Sequence, residues 1–317
     1  MFPIWWRKKT ENKQLVGITR DFSFLHKKTW QWLALIFLAF IWGSSFILMK
    51  HGLESFSSNQ VAAMRIFISF LLFIPFIYKT LRKLKRSNII SLLIVGFIGN
   101  LLPAALFTVG QTEVSSSLAG ILNSLVPLFS LMIGALFFKS KSTILNVIGI
   151  LIGLGGTISL VLLGETHFQN GNTWFAFYII AATVCYSISA NVIKHKLVDL
   201  NGLSISSLSF LMIGPVAGVY LIFTDFSSAL ESPNFLQNLG FITILAVFSS
   251  FAAVIVFNVL IKYTTTIFAT SVTYIIPIFA IMWGIADGES ITLIQYSCMI
   301  VILLGVYLVN RDPKTKN

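Results

Sequence analysis

Seven side chains that can donate, accept or stack stand where water is scarce: Trp42, Arg65, Asn100, Asn123, Tyr186, Ser250 and Tyr274 all lie within long apolar stretches of a 317-residue chain. A guanidinium offers a rigid fork of donors, amides both donate and accept, and indole and phenol rings give flat apolar walls with one polar handle. Such a set suits reversible capture of a small molecule, because aromatic walls with a few convergent polar atoms describe a ligand pocket. Bond-making chemistry needs other parts. No Asp or Glu lies near the centre of an apolar stretch, His51 and His195 stand alone at stretch ends, and there is no H-E-x-x-H pair and no phosphate-cradling glycine loop. No metal, no cofactor and no direct use of ATP are therefore expected, and the chain is not expected to be an enzyme.

Each of these residues also has a structural reading. Ser250 can bond its own helix, Trp42, Tyr186 and Tyr274 can be packing, and Asn100 or Asn123 can bridge helices. Arg65 stands four residues inside the end of its stretch. It either draws an anionic solute or counter-ion into a vestibule, or snorkels to the headgroups or caps a helix. Lys50 lies at the same level and shares both readings, whereas Lys194 reads as a topology signal.

The elements that hold these side chains follow from composition. With 56% apolar and 10% charged residues, against about 25% charged in a soluble domain, the chain reads as a polytopic membrane protein. A helix needs about 20 residues to cross the hydrocarbon core. Ten stretches reach that length: Trp32–Met49, Val61–Tyr78, Ile89–Val109, Ser117–Phe138, Ile144–Leu163, Trp174–Ile193, Leu203–Phe223, Leu239–Ile261, Ile267–Ile285 and Ile291–Val309. They are too long, and too uniformly apolar, for barrel strands. The fold class is all-α with ten transmembrane helices.

The chain is also duplicated. SSSLAGILNSLVPLFSLMIG, from Ser115, lies over TTIFATSVTYIIPIFAIMWG, from Thr265, so that Pro127 meets Pro277. Each proline lacks an N–H and clashes with the preceding turn, which frees the carbonyl four residues earlier, that of Asn123 or Thr273. Paired Pro-interrupted stretches at equivalent points of two halves point to a transporter binding site near the bilayer midplane, so Pro127 and Pro277 are candidate helix-break or gating residues. Ser45, Lys50 and His51 likewise match Ser189, Lys194 and His195. The organisation is then a basic tail (1–30), a first five-helix repeat (31–163), a polar linker (164–173), a second repeat (174–309) and a short tail (310–317). Five is odd, so the second half enters the membrane inverted.

The net charge of +11 reflects topology rather than nucleic-acid binding. With both termini in the cytoplasm, every Lys and Arg except Lys50 and Arg65 falls on the cytoplasmic side, as the positive-inside rule requires. Residues 1–30 read as a cytoplasmic amphipathic lead-in or as the product of an upstream start codon, and no cleavable signal peptide is expected. Cys185 and Cys298 lie inside stretches and suggest no disulfide.

The Trp42-Gly43-Ser44-Ser45-Phe46 run, Arg65 opening the second stretch, the duplicated proline spans, the Asp287-Gly288-Glu289-Ser290 turn and Gly305 together resemble the EamA family of the drug/metabolite transporter superfamily. The resemblance covers residues 32–309 and departs in one place, where Lys139-Ser140-Lys141 replaces the acidic turn. It implies two inverted five-helix repeats in the bacterial inner membrane and a secondary carrier working by alternating access, often an exporter of amino acids or drug-like and other small metabolites. The partners expected are a small-molecule substrate and the lipid bilayer. Coupling to a proton or ion and assembly as a homodimer stay open, and the rival classes are an intramembrane enzyme and a channel. Reporter fusions after Ser87, Lys141, Asn201 and Lys316 should report cytoplasm, and fusions after Ser57, Gln169 and Ser232 the far side; opposite signals flanking the linker would contradict the inversion.

Overall fold

The computed structural model describes residues 25–139, 143–163 and 174–310. Most of the N-terminal tail, Ser140 and Lys141 of the first-half turn, the linker over 164–173 and residues 311–317 lie outside the described residues. The long helices, in chain order, are α1 (Lys28–Leu53), α2 (Ser58–Leu81), α3 (Arg86–Gly110), α4 (Ser116–Phe138), α5 (Ile144–Leu163), α6 (Trp174–Lys196), α7 (Gly202–Phe223), α8 (Phe235–Tyr263), α9 (Phe268–Ala286) and α10 (Leu293–Asn310). A single helical turn, Ser227–Leu230, joins α7 to α8. No strand occurs among the described residues. Eight of these helices are long and apolar enough to cross a membrane by length and composition, while α5 and α10 carry shorter apolar stretches, Ile144–Leu160 and Leu293–Gly305.

Local chemistry sets the helix starts. Ser57 and Gln60 form a reciprocal capping box at α2, the Ser57 hydroxyl taking the Gln60 N–H and the Gln60 amide oxygen taking the Ser57 N–H. Asn201 caps α7 through the Ser204 N–H at 2.8 Å, and Ser115 caps α4 through Leu118.

The surface inverts the pattern of a soluble domain. Phe37, Leu71, Ile74, Phe137, Leu151 and Phe223 are exposed, while Ser69, Thr108, Ser124, Ser187 and Ser206 are buried. With no water in the hydrocarbon, buried hydroxyls and amides must find partners inside the protein. Ser69 donates to the carbonyls of Arg65 or Ala246, Asn191 to those of Ser130 and Ser187, and Asn258 to the Ser206 hydroxyl.

Helix pairing follows a rule of five: α2 packs on α7, α4 on α9 and α5 on α10, and α1 meets α8 as α6 meets α3. The first three pairs run antiparallel. Thr80 meets Ser207 while Phe67 and Phe70 meet Gly218 and Gly214; Ser117 and Gly120 meet Gly284 and Ala280, and Gly149 and Gly153 meet Gly305 while Gly156 meets Ile302.

The α5–α10 contact depends on missing side chains. A Cβ at Gly305 would stand 2.4 Å from the Gly153 nitrogen and 2.6 Å from the Gly149 carbonyl, whereas one at Gly155 would meet nothing within 4 Å. Gly305→Leu should lower stability by about 1–3 kcal/mol, read by thermal unfolding of the detergent-purified protein. Gly155→Leu should leave the transition close to that of the parent.

Candidate binding cavity

Two helices lose the ordinary α register midway, and they do so at matching points. In α3 the segment Ile94–Leu101 is a π-helix, and in α8 so is Leu245–Ala252; each closes with an N–H reaching back five residues, Leu102 to Phe97 and Ala253 to Phe248. Such widened turns are rare and gather at functional sites. The proline spans break as well. In α4 the first helix ends at Asn123 and the second starts at Val126, with Leu125 bonding back only three residues to Leu122. In α9 a 3-10 turn, Ser271–Tyr274, precedes Ile276, and Ile275 bonds back to Val272.

These four irregular segments surround one cavity of about 110 Å³. Trp42, Arg65, Asn100, Asn123, Tyr186 and Ser250 all line it. Gly99 and Asn100 come from one π-segment and Ser249 and Ser250 from the other. Asn100 donates to the Val95 carbonyl at 2.7 Å, a bond within the widened turn. The Trp42 indole donates to the Ser249 carbonyl at 3.2 Å and meets Phe257 edge-on at 5.1 Å. Arg65 is 8% exposed, and its Nε donates to the Ser250 hydroxyl at 3.0 Å. The guanidinium thus faces the cavity rather than the headgroups.

Tyr274 does not line the cavity. From this part of α9, Thr270 at the end of the preceding α-helical turn and Val272 and Thr273 of the 3-10 turn line it instead. Pro127 and Pro277 are buried at the start of the resumed helices and touch the cavity only through neighbours, Val126 and Thr273. Helix α2 contributes Ile66 beside Arg65, and α7, which holds none of the seven candidates, contributes Phe210. Sequence reasoning also missed Phe46, Phe107, Ser189 and Asn258, which carry no signal until the helix faces are known. A larger hollow of about 640 Å³ lies between α1, α8 and α9, walled by exposed Phe37, Phe40 and Phe248; its apolar, outward-facing lining suits lipid.

The two ends of the bundle are built differently. Past the C-terminus of α9, Gly288 at φ +84 lets the Glu289 N–H return to the Gly284 carbonyl and its own N–H to Ile285, a left-handed helix stop that aims the next side chain back along the helix. Glu289 there accepts from the N–H groups of Ser116 and Ser117, each at 3.0 Å, and from the Ser117 hydroxyl at 2.7 Å. Its charge caps the positive end of α4. Gly284 leaves the room, since a Cβ there would strike the Ser117 oxygen and the carboxylate. Lys50 bridges Asp287 at 2.6 Å and Glu289 at 3.1 Å, and His51 reaches Asp287 and Glu54. At the N-terminal end of α9, the repeat partner Lys194 donates instead to the carbonyls of Ile261 and Thr264, and Lys262 to that of Leu197.

The profile of the EamA-like transporter family matches residues 29–162 and 173–311. The chain belongs to this family. The Escherichia coli K12 protein named uncharacterized inner membrane transporter YedA is 29% identical over 285 residues, covering 87% of this chain and 89% of its own length. An uncharacterized transporter of Archaeoglobus fulgidus is 24% identical over 282 residues, covering 89% and 99%. One crystal structure superposes with a TM-score of 0.65 at 14% identity, covering 90% of this chain and 97% of the other; that likeness concerns the fold. The EamA-like chain is thus a membrane transporter.

Burial alone would raise the Glu289 carboxyl, but the Ser117 and Ser116 hydrogen bonds and the Lys50 charge outweigh it and hold the group below its usual 4.5. A carboxyl depressed on folding contributes stability above its unfolded value and loses it as pH falls through the folded one. Thermal stability should therefore decline on acidification below about pH 4.5. Glu289→Gln should be less stable at neutral pH by roughly 1.5–3 kcal/mol, the scale of hydrogen bonds to a charged group, and should lack that component of the acid decline; an unchanged pH profile would refute the assignment.

Proposed function

We propose that this EamA-like protein is a secondary carrier of small metabolites across the bacterial inner membrane, with ten spans arranged as two inverted five-helix repeats, 31–163 and 174–309, that rock about the central cavity. The observation that carries this reading is the cavity itself: both halves supply its walls, and each half meets it with one π-segment and one broken proline span. Non-helical backbone at membrane depth is tolerated only where protein or a water-filled cavity covers it. The antiparallel pairing of α2 with α7, α4 with α9 and α5 with α10 is what a pseudo-two-fold axis in the membrane plane requires, since each helix then meets its own counterpart. The inner-membrane placement draws on the E. coli relative, named an inner membrane transporter, and cytoplasmic termini on the charge asymmetry. Export of a small solute agrees with both.

In this mechanism the Lys50–Asp287–Glu289 cluster is the outer gate and the Lys194–Lys262 contacts the inner one. Trp42, Arg65, Asn100, Asn123, Tyr186 and Ser250 hold the cargo, and Pro127 and Pro277 keep the two breaks flexible enough to repack.

The test uses Asn123→Cys and Thr273→Cys, each alone in a Cys185→Ala, Cys298→Ala background, with a small water-soluble thiol reagent applied from one face at a time. Both positions should be reactive, and Glu289→Gln should raise labelling from the outer face while lowering it from the inner. Labelling from both faces that Glu289→Gln leaves unchanged would mean a channel. In proteoliposomes, mass spectrometry of the transported solute should find it chemically unchanged; a modified product would mean an enzyme.

A further inference from the structure

We propose that the cargo is a small organic monoanion, a carboxylate with an apolar body, taken head-on by Arg65; this rests on reading the cavity as the cargo site. The Arg65 Nε is engaged by Ser250. Its two terminal nitrogens have no hydrogen-bond partner, and no carboxylate pairs with it, among the described residues. No Asp or Glu lines the cavity. A buried cation without a counter-charge is unfavourable, so an anion that enters is stabilised by relieving it. The guanidinium fork matches a carboxylate geometrically.

The neighbouring free groups point the same way. The Tyr186 hydroxyl and the Asn123 amide both line the cavity and make no hydrogen bond among the described residues. Both can donate to an anionic head. An ammonium has no carboxylate to meet, and it would stand beside Arg65. A zwitterion therefore leaves one charge unanswered and an amine adds repulsion. A dianion would outnumber the single cation. Beyond the head, Trp42, Phe46, Phe107 and Phe257 supply an apolar wall, with Phe107 tilted against Tyr186 at 5.9 Å.

Three solutes with one phenylethyl skeleton separate the cases: 3-phenylpropionate, phenylalanine and phenethylamine. Binding is read as the rise in unfolding temperature of the purified full chain, and transport as flux in proteoliposomes. The expected order is 3-phenylpropionate effective at a concentration at least about tenfold below phenylalanine, with phenethylamine inert. Arg65→Lys should keep that order at weaker affinity, because the charge stays and the fork goes, and Arg65→Gln should erase it. Equal or tighter binding of phenylalanine or phenethylamine by the parent protein would overturn the proposal, as would an undiminished preference in Arg65→Gln or no binding of any of the three. The parent comparison needs no variant to fold. The cysteine-access result decides the carrier reading without any cargo, so a protein that alternates yet prefers the zwitterion loses this proposal alone.

Discussion

The hydrocarbon interior forbids an unpaired backbone polar group at the lipid face, and the rest of this fold follows from that constraint. It forces helices everywhere the chain meets lipid, and it confines irregular backbone to the places the bundle itself covers. The π-segments Ile94–Leu101 and Leu245–Ala252 and the breaks after Asn123 and around Thr273 are therefore found together, around one cavity, rather than scattered. Each irregular turn changes which residues face inward. The 3-10 turn brings Val272 and Thr273 to the cavity, and the π-segments bring Gly99 with Asn100 and Ser249 with Ser250.

The two halves align in sequence, and one departure from that match gives the two ends different chemistry. Glu289 and Lys139 occupy equivalent positions in the repeat. Where the acid stands, the helix stop at Gly288 swings it under the α4 amides and beside Lys50. Where the base stands, no such pair can form, and Lys194 turns to the carbonyls at the end of α8, the negative pole of that helix. One end is thus latched by opposite charges that acid or salt can weaken, and the other by ammonium groups on main-chain carbonyls.

Much of this was legible in the sequence. Apolar length located the helices to within a few residues, and the repeat placed the breaks, because proline acts on the backbone locally. Six of the seven candidate pocket residues line the cavity. What escaped was what depends on helix rotation: Tyr274 was displaced by a turn type that no single residue encodes, and Phe107 and Asn258 were invisible among other apolar and amide positions. The π-segments have no proline to announce them. Lys50, Asp287 and Glu289 were each visible, but more than 230 residues of chain separate Lys50 from its partners, and only the packing of α1 beside α9, where Gly43 meets Phe279, brings them together.

Two cations stand apart from the charge rule. Lys50 and Arg65 are the two cations that do not fall on the cytoplasmic side in the ten-span reading. A basic residue placed against the topological bias, at a depth where desolvation is costly, must recover that cost locally. Lys50 does so through Asp287 and Glu289. Arg65 has a single neutral bond, from Nε to Ser250, and no carboxylate pairs with it among the described residues. Of these two cations one is paired and the other is not, and partnering, which sequence position cannot show, is what separates them.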